Sequence, residues 1–349
     1  MNGYDFTTYA STSLYDKKGR SNMVNLGNSC YFNATMAALT NCLGLTHFFL
    51  GNKYTKVLGP ANMEKPEYGY LMKYIAVLVG LFEENQTVAP KSLYNKLSTF
   101  VPDLKKGQQN DAHECLFGIL NVLHIANSVK LTQYNIGPLD TKVHSYLVDS
   151  RNSWIAHFKD DYSIINHLFF GQYIQKLQCT VCNHTSYKYE PFIDLSVAVP
   201  SQGKDNIHTI YNLLDDHFKN QIVENDCEGK CNKKTKFNKK TRVIKMPKYL
   251  IIHFKRFNND LRKVATHIAY SSDLEMSKFS VAVENQSVEY NLISVINHSG
   301  VFGGGHYYTY NRLIDGNWVN IDDDITTDIK PIEVCNKDAY CLIYELDVL

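Results

Sequence analysis

Residues 25–33 read Asn-Leu-Gly-Asn-Ser-Cys-Tyr-Phe-Asn and form the most informative stretch of this chain. The segment that starts at Cys30 is rich in helix formers, so we predict a helix from Cys30 to Leu43 with Gly44 as its cap. A cysteine in the first helical turn faces unpaired N–H groups and the positive end of the dipole, which favours the thiolate. The stretch therefore predicts a nucleophile. A buried cysteine at a helix start is the alternative interpretation.

A second signature lies far downstream, where His306 follows three glycines and precedes an aromatic run typical of a strand. Residues 315–316, Asp-Gly, predict a two-residue hairpin turn that returns the chain toward His306. The acidic residues 322–324 then reach the same end of the hairpin, where one of them is able to orient the imidazole. A solvated acidic loop is the other interpretation of these three residues.

Strict pairing of the two strands through that turn predicts which aspartate faces His306. It places Asp323 on the face of His306 and Asp322 on the opposite face, three residues or roughly 10 Å out of register. A role for Asp322 therefore requires a bulge or a departure from the ladder after Ile321. The residues alone also leave open which amide, that of Asn25 or that of Asn28, donates to an oxyanion near Cys30.

Four of the nine cysteines form two close pairs. Cys179 and Cys182 make the first pair, and Cys227 and Cys231 the second. Two close pairs are typical of a tetrahedral four-thiolate zinc site with each pair on a turn. The second pair has three intervening residues rather than two, so His184 in place of one cysteine, or unligated surface cysteines, remain alternatives.

Composition excludes several classes of protein. The 36 basic and 35 acidic residues nearly cancel, which gives no argument for binding nucleic acid or an anionic membrane. No segment resembles a secretion signal, and the longest apolar run, Tyr74–Phe82, is far shorter than the ~20 residues of a membrane span. With an odd number of cysteines, the chain is expected to be soluble and intracellular, in the cytoplasm or nucleus.

The order of patterns predicts helices first and strands later. Asp111 heads a capping-box pattern before an apolar stripe, so a helix is expected there. From about Gly171 onward, β-branched and aromatic runs predict strands near 250–257, 292–297, 307–313, 318–321 and 340–346. Residues 232–240, rich in lysine and asparagine, suggest an exposed tip or loop.

Taken together, these residues resemble the catalytic domain of the ubiquitin-specific proteases, which are cysteine deubiquitinases. Residues 25–33 are similar to the cysteine box of that family, and residues 304–310 with 318–323 are similar to its histidine box. Two more landmarks, residues 108–114 and 247–257, follow in the family's order. The chain departs from the pattern at Asn110, at Ser29, at Cys115 and in the widened second cysteine pair.

The resemblance implies an α+β fold with a papain-like cysteine protease core. A helical thumb is expected near residues 21–165, β fingers near 166–250 and a palm completed by 251–348. Residues 1–20 are expected to be an N-terminal extension of this catalytic domain. The fingers are expected to carry a structural Zn²⁺ on the four paired cysteines, and catalysis itself is expected to need no cofactor.

By motif position, Cys30 resembles the nucleophile, His306 the general base, Asp322 the third member of the triad and Asn25 the oxyanion donor. The implied reaction hydrolyses the isopeptide or peptide bond after the C-terminal glycine of ubiquitin through a thioester. Asp111 resembles a residue that binds the ubiquitin tail, although a helix N-cap explains it equally well.

The partners implied by the resemblance are ubiquitin and ubiquitinated proteins, with no nucleic acid and no membrane, and the chain is expected to be a monomer. A ubiquitin-like modifier ending in the same two glycines is an alternative substrate. A catalytically silent ubiquitin-binding module is the alternative from another functional class.

Overall fold

A computed structural model describes residues 22–82, 86–131, 145–201, 208–257, 262–281, 287–301 and 303–347. The extension expected at residues 1–20 lies outside this part of the chain. The helices are α1 (Cys30–Asn41), α2 (Leu43–Leu50), α3 (Pro60–Met63), α4 (Tyr68–Phe82), α5 (Lys91–Phe100), α6 (Ala112–Asn127), α7 (Ser145–Phe158), α8 (Ile164–Phe169), α9 (Ile210–His217) and α10 (Pro331–Val334).

The strands mostly follow the helices, as predicted. They are β1 (Gly171–Cys179), β2 (Thr185–Phe192), β3 (Asp194–Ala198), β4 (His208–Thr209), β5 (Gln221–Asp226), β6 (Lys234–Lys245), β7 (Tyr249–Lys255), β8 (Ile268–Ala269), β9 (Asp273–Glu275), β10 (Glu289–Val301), β11 (Gly304–Arg312), β12 (Trp318–Asp322), β13 (Ile325–Ile329) and β14 (Ala339–Leu346). None of the described helices is both long enough and apolar enough to cross a bilayer.

The first helix begins at Cys30 as predicted, but the prediction for its end was wrong. It stops at Asn41, where the Cys42 N–H bonds the Leu39 carbonyl at 3.1 Å and breaks the helical pattern. A second apolar helix, α2, starts at once, and Gly44 lies inside it rather than at a cap. The apolar run beyond position 43 favours burial of a new helix over a glycine turn.

The helix expected after Asp111 is present as α6. The Asp111 carboxylate accepts the backbone N–H groups of His113 at 2.7 Å and Glu114 at 3.1 Å, which makes it the N-cap. The predicted apolar stripe of α6 is fully buried. Helices α1 to α8 form the thumb, and the helix carrying Cys30 packs against α6 on one side and the sheet on the other.

The palm is an eight-stranded sheet with the order β13-β12-β11-β10-β14-β7-β3, and β9 pairs with β10 beside this path. Strand β7 is buried from Tyr249 to Phe254, which explains its unbroken run of apolar and aromatic residues. One face of the sheet packs on the thumb helices, and the other packs on α9 in a second core. The strand that carries His306, β11, lies directly against α1.

The fingers are a four-stranded sheet with the order β2-β1-β6-β5. Residues 232–240 were expected to be an exposed tip or loop, and they do lie at the fingers tip, but a loop is wrong for most of the segment because β6 begins at Lys234. Its side chains alternate, so Phe237 is buried at the fingers tip while the neighbouring lysine and asparagine side chains face solvent. The many lysine and asparagine residues of this segment therefore indicate the solvent-exposed face of a strand rather than a loop.

The turn between β11 and β12 leaves three residues, 314–316, inside its last hydrogen-bonded pair, Leu313 and Asn317, rather than the predicted two. The Leu313 N–H bonds the Asn317 carbonyl at 2.7 Å, and Gly316 takes the positive φ of 86° that closes such a loop. Thr309 consequently pairs with Ile321, one position away from strict two-residue pairing. This shift by one residue reverses the face on which every later side chain of β12 lies.

Candidate active site

Cys30 occupies the first turn of α1 and is almost completely buried, with 3% of its surface exposed. The loop before it turns tightly through Gly27 and Asn28, which have φ values of 91° and 52°. Ser29 closes this loop, because its hydroxyl accepts the Leu26 N–H at 2.8 Å. The local sequence therefore places the Cys30 thiol at the positive end of the helix dipole. The tight loop fixes the backbone that leads into the helix.

His306 lies between Cys30 and Asp322. Its Nε2 is 2.5 Å from the Asp322 Oδ1, which leaves Nδ1 as the ring nitrogen for the thiol. The pKa of His306 is raised to about 9, first by its hydrogen bond with Cys30 and then by Asp322, while burial opposes this shift. The structure thus brings three of the predicted site residues into one constellation that favours an imidazolium.

The three-residue loop explains why Asp322, rather than Asp323, reaches the histidine. With Thr309 opposite Ile321, Asp322 falls on the face of β11 that also carries His306. The expected facing of Asp323 was therefore wrong, and no bulge within β12 is needed. Both side chains of the His306–Asp322 pair remain about two-fifths exposed, so solvent reaches the pair.

Asp323 has a separate set of contacts. It sits in a left-handed turn with φ of 52° directly after β12. Its carboxylate accepts the side-chain amides of Asn25 at Oδ2 and Asn33 at Oδ1, both at 2.8 Å, and its carbonyl accepts the Met23 N–H at 2.9 Å. Asp323 therefore connects the end of the histidine hairpin to the loop and helix that carry Cys30.

The two asparagines considered as oxyanion donors are in different positions. The side-chain oxygen of Asn25 accepts the Gly27 N–H at 2.9 Å. The side-chain nitrogen donates one N–H to Asp323, which leaves its second N–H. The Asn28 amide instead donates to the Gly107 carbonyl at 2.9 Å on a thumb loop. These contacts favour Asn25 over Asn28 as the donor near the sulfur.

An open cavity of about 440 Å³ adjoins the histidine hairpin. The cavity is lined by the loop before α6, by the first turn of α6 and by the palm. The lining residues are Gln109, Asn110, Asp111, Glu114, Phe257, His298, Gly303 and Tyr307. The Gln109 side chain lines the cavity and accepts the Gly305 N–H at 3.1 Å, which ties the loop before α6 to the histidine hairpin. Asp111 lines the cavity, but its carboxylate already caps α6 and accepts the Tyr340 hydroxyl.

A second cluster of titratable groups, His113, Asp194 and His253, joins α6 to the palm sheet. The imidazoles are stacked with centroids 3.8 Å apart, and the Ser196 hydroxyl bridges Asp194 and His253. Burial lowers the pKa of His253 to about 3, so this imidazole is neutral. Stacked rings hold their nitrogen lone pairs nearly parallel, which suits a structural hydrogen-bond network better than a shared metal ion.

The four paired cysteines meet at the fingers tip, with all four sulfurs within 4.8 Å of one another. Cys179 Sγ lies 3.8 Å from Cys231 Sγ, and Cys182 Sγ lies 3.5 Å from Cys227 Sγ. A tetrahedral zinc site with Zn–S of about 2.3 Å has sulfur–sulfur edges of about 3.8 Å. The arrangement therefore fits a metal ion, and these distances are far too long for disulfides.

The widened second pair fits because of Gly229. A Cβ at this position would lie 2.6 Å from the His184 Cβ and 3.2 Å from the Cys182 sulfur. The extra residue between Cys227 and Cys231 thus passes against the first knuckle, which only glycine permits. Among the described residues, the metal-capable group at this tip consists of the four cysteines and does not include His184.

Sequence reasoning did not find the role of Asp323 as an anchor for Asn25 and Asn33, or the contact of Gln109 with the hairpin. Asn33 stood within the most informative stretch of the sequence, which was the available signal. Its partner lies 290 residues away, and only the fold brings the two together.

Comparison with known proteins gives a consistent result. A family profile described as ubiquitin carboxyl-terminal hydrolase matches residues 21–344. Ubiquitin carboxyl-terminal hydrolase 2 of Rattus norvegicus is 29% identical over 343 residues, covering 94% of this chain and 54% of the relative. Ubiquitin carboxyl-terminal hydrolase 4 of Saccharomyces cerevisiae is 28% identical over 380 residues, covering 97% of this chain and 40% of the relative. The chain thus spans about half of these curated relatives, or less.

Among solved structures, the chain is similar to one in the SAGA DUB module of Ubp8, Sgf11, Sus1 and Sgf73 bound to monoubiquitin. The TM-score is 0.75 at 20% identity, covering 95% of this chain and 70% of the other. The same module bound to ubiquitin aldehyde gives the same values. At this identity the likeness establishes the shared architecture of thumb, palm and fingers.

Proposed function

The chain belongs to the ubiquitin carboxyl-terminal hydrolase family, and on this premise we propose that it is a thiol-dependent deubiquitinase. It hydrolyses the isopeptide or peptide bond after the C-terminal glycine of ubiquitin. The observation that carries this proposal is the convergence of Cys30, His306 and Asp322 where α1 meets the histidine hairpin. Ubiquitin and ubiquitinated proteins are the proposed partners.

The first chemical step uses the geometry of these three side chains. His306 accepts the Cys30 proton, and Asp322 at Nε2 stabilises the resulting imidazolium. The thiolate attacks the carbonyl carbon of the terminal glycine, and the imidazolium then protonates the departing lysine amine. Since the pKa of His306 is raised to about 9, this acid is available throughout the neutral range.

The tetrahedral oxyanion is stabilised by the second Asn25 N–H together with the Cys30 backbone N–H. Asp323 positions Asn25 for this role, because its carboxylate accepts the other N–H of the amide, with nitrogen and oxygen 2.8 Å apart. Water then attacks the thioester, with His306 accepting its proton. The C–S bond breaks and releases the C-terminal carboxyl group of the modifier, and the imidazolium returns the proton to the Cys30 sulfur.

The cavity beside His306 is the proposed path for the C-terminal tail of the modifier. Tyr307 and Gln109 line this path. We propose that their side chains favour glycines over residues with side chains near the reacting carbonyl. Asp111 is a second proposed contact for the tail. Its cap and its bond with Tyr340 keep the carboxylate fixed at the cavity wall.

We further propose that the fingers cluster holds a structural Zn²⁺ through Cys179, Cys182, Cys227 and Cys231. The support is the tetrahedral sulfur spacing and the small core at this tip. Zinc would offset part of the negative charge of four neighbouring thiolates and join both knuckles, and it takes no part in the reaction. An intracellular location is consistent with described cysteines that are all free of disulfides.

The proposed limits of the units are a thumb of about 21–165, fingers of about 166–250 and a palm completed by 251–348. Within the middle range, β3 leaves the fingers and joins the palm sheet beside β7. The fingers are thus inserted as two hairpin-like arms. Residues 165–166 lie within α8 and residues 250–251 lie within β7. Limited proteolysis is therefore expected to cut in the loops next to these two elements before it cuts within the units.

The decisive experiment treats the chain and its Cys30→Ala variant with a ubiquitin C-terminal electrophile and measures intact mass. An adduct on the parent alone supports the proposal, because it requires both a competent nucleophile and recognition of ubiquitin. No adduct on the folded parent contradicts it. Parallel probes built on ubiquitin-like modifiers then separate another modifier as substrate from a silent binding module.

A further inference from the structure

Helix α1 and strand β11 are joined by buried hydrogen bonds between side chains of the strand and the helix backbone. The Thr309 hydroxyl donates to the Ala34 carbonyl at 2.8 Å, and the Asn311 amide donates to the Ala37 carbonyl at 2.9 Å. Both donors are completely buried. We call these contacts the helix–strand ladder.

A second layer of bonds fixes the far end of the ladder. The side-chain oxygen of Asn311 accepts the Ser294 hydroxyl at 2.7 Å. A residue of β10 therefore fixes the orientation of the Asn311 amide. Asn41, the last residue of α1, donates to the Ile293 carbonyl at 2.7 Å and lies 3.2 Å from the Ser294 hydroxyl. Both ends of the helix segment are therefore tied to the palm sheet.

The ladder is not needed to satisfy the helix backbone. Carbonyls in the middle of an α-helix already accept an N–H from the following turn, so Ala34 gains a second donor from the strand. The Ala37 carbonyl also accepts the Thr40 hydroxyl at 2.8 Å, so the Asn311 amide is a further donor there. Buried polar groups of this kind contribute little net stability compared with apolar residues of the same shape. Their specific property is direction, because a hydrogen bond fixes axial position where apolar contacts allow sliding.

We propose that Thr309 and Asn311 are positioning residues that set the axial register of α1 against β11, and thereby align Cys30 with His306. Thr309 lies three residues after His306, and Ala34 lies four residues after Cys30, about one helical turn away. Of the two ladder bonds, the one from Thr309 to Ala34 thus lies nearer to Cys30 along α1 and nearer to His306 along β11. This inference rests on the proposed roles of Cys30 and His306.

The consequence is kinetic rather than structural. When the ladder is loosened, the thiol and the imidazole spend less time in contact, so kcat falls while the affinity for the modifier stays the same. The contact with Cys30 is also the largest cause of the raised pKa of His306. Misalignment therefore moves the alkaline limb of the pH–activity profile below about pH 9.

The test compares Thr309→Val with Thr309→Ser and Thr46→Val. Valine keeps the shape of threonine but removes the donor, whereas serine retains the hydroxyl. Thr46 is a matched control, since it is buried and its hydroxyl donates at 2.9 Å to the carbonyl of Thr40 in α1, but from α2. Circular dichroism and thermal melting confirm that each variant is folded.

For Thr309→Val we expect a fall in kcat of about 10- to 100-fold, a KM within twofold and a lower alkaline limb. Thr309→Ser is expected to restore most of the rate, and Thr46→Val to match the parent. Equal kcat and equal pH profiles for Thr309→Val and Thr46→Val would overturn the inference. A change in KM alone would overturn it as well.

A substrate-free measurement separates this inference from the proposed function. The alkylation rate of Cys30 by a small haloacetamide, followed against pH by peptide mass spectrometry, reports the thiolate–imidazolium pair directly. A profile altered by Thr309→Val but not by Thr46→Val supports the ladder even if the parent rejects every ubiquitin probe. If the parent cleaves ubiquitin but Thr309→Val leaves the alkylation profile unchanged, the positioning role of the ladder is refuted and the proposed function stands.

Discussion

The junction where α1 meets the histidine hairpin, which we propose as the catalytic site, and the fingers tip hold their reactive side chains in different ways. At the junction, α1 is buried along its entire length within a large core, and the hairpin is tied to it by several hydrogen bonds. The fingers tip has a separate core of only four buried residues, two of which are cysteines of the cluster. The junction is thus maintained by its surroundings, whereas the tip depends on the cysteines themselves.

This contrast predicts where function and stability separate. Removing a reactive group at the junction leaves the core intact and eliminates only chemistry. Removing a sulfur at the tip takes away both a ligand and part of the core, so structure and recognition are lost together.

The largest effect is expected at the junction, for Asp322→Asn. The amide cannot stabilise the imidazolium, so kcat/KM is expected to fall by about 10³- to 10⁴-fold with little change in melting temperature. Asp322 also helps to raise the pKa of His306. The protonated imidazole normally persists until pH rises through about 9, so the alkaline limb of the variant is expected at lower pH.

The measurement is a pH–rate profile with a fluorogenic ubiquitin substrate, accompanied by thermal melting. An alkaline limb that stays in place, or a loss of activity explained entirely by unfolding, would contradict the prediction.

The second prediction concerns the fingers tip. Metal removal by a chelator, or Cys182→Ser, is expected to lower kcat/KM for ubiquitin substrates by about 100-fold, because the proposed Zn²⁺ holds the small tip core together. Turnover of a short peptide ending in two glycines is expected to change little, because it needs only the junction. Elemental analysis is expected to find one zinc per chain.

Cys335→Ser provides the control, since Cys335 is a half-buried cysteine outside the cluster. Loss of zinc without loss of ubiquitin cleavage would show that the tip is independent of its metal.

The third prediction separates the two neighbouring aspartates. Asp323→Asn tolerates the left-handed backbone but offers one acceptor where the carboxylate serves both Asn25 and Asn33. We expect kcat to fall about 10- to 30-fold through the displaced oxyanion donor, with the alkaline limb near its original pH. Asp324→Asn, at an exposed position in the same turn, is expected to match the parent. A shifted limb for Asp323→Asn would assign Asp323 to the histidine instead.

The smallest effect is expected for Gly229→Ala. The added methyl group would meet the His184 side chain at 2.6 Å, which forces the two knuckles apart and costs about 1–3 kcal/mol of local stability. Gly59→Ala is the control, because a Cβ there meets nothing within 4 Å. Competition with a zinc chelator measures the difference in metal affinity. Equal affinities for the two variants would show that the tip adjusts freely.

Local patterns alone determined much of this protein. The start of α1 at Cys30, the N-cap at Asp111 and the order of helices before strands follow from capping residues and periodicity, which act within a few residues. The spacing of the two cysteine pairs likewise identified the group that meets at the fingers tip. The resemblance to the protease family used the same short motifs.

Tertiary structure decided what depends on distant partners. The pairing of Asp322 with His306 follows from one additional loop residue, whose choice depends on how β11 and β12 pack within the palm. The contact of Asp323 with Asn25 and the ladder from Thr309 to α1 join residues that are hundreds of positions apart. Sequence patterns report local conformation and burial, but a register between two packed elements is set by their mutual fit, which no single segment contains.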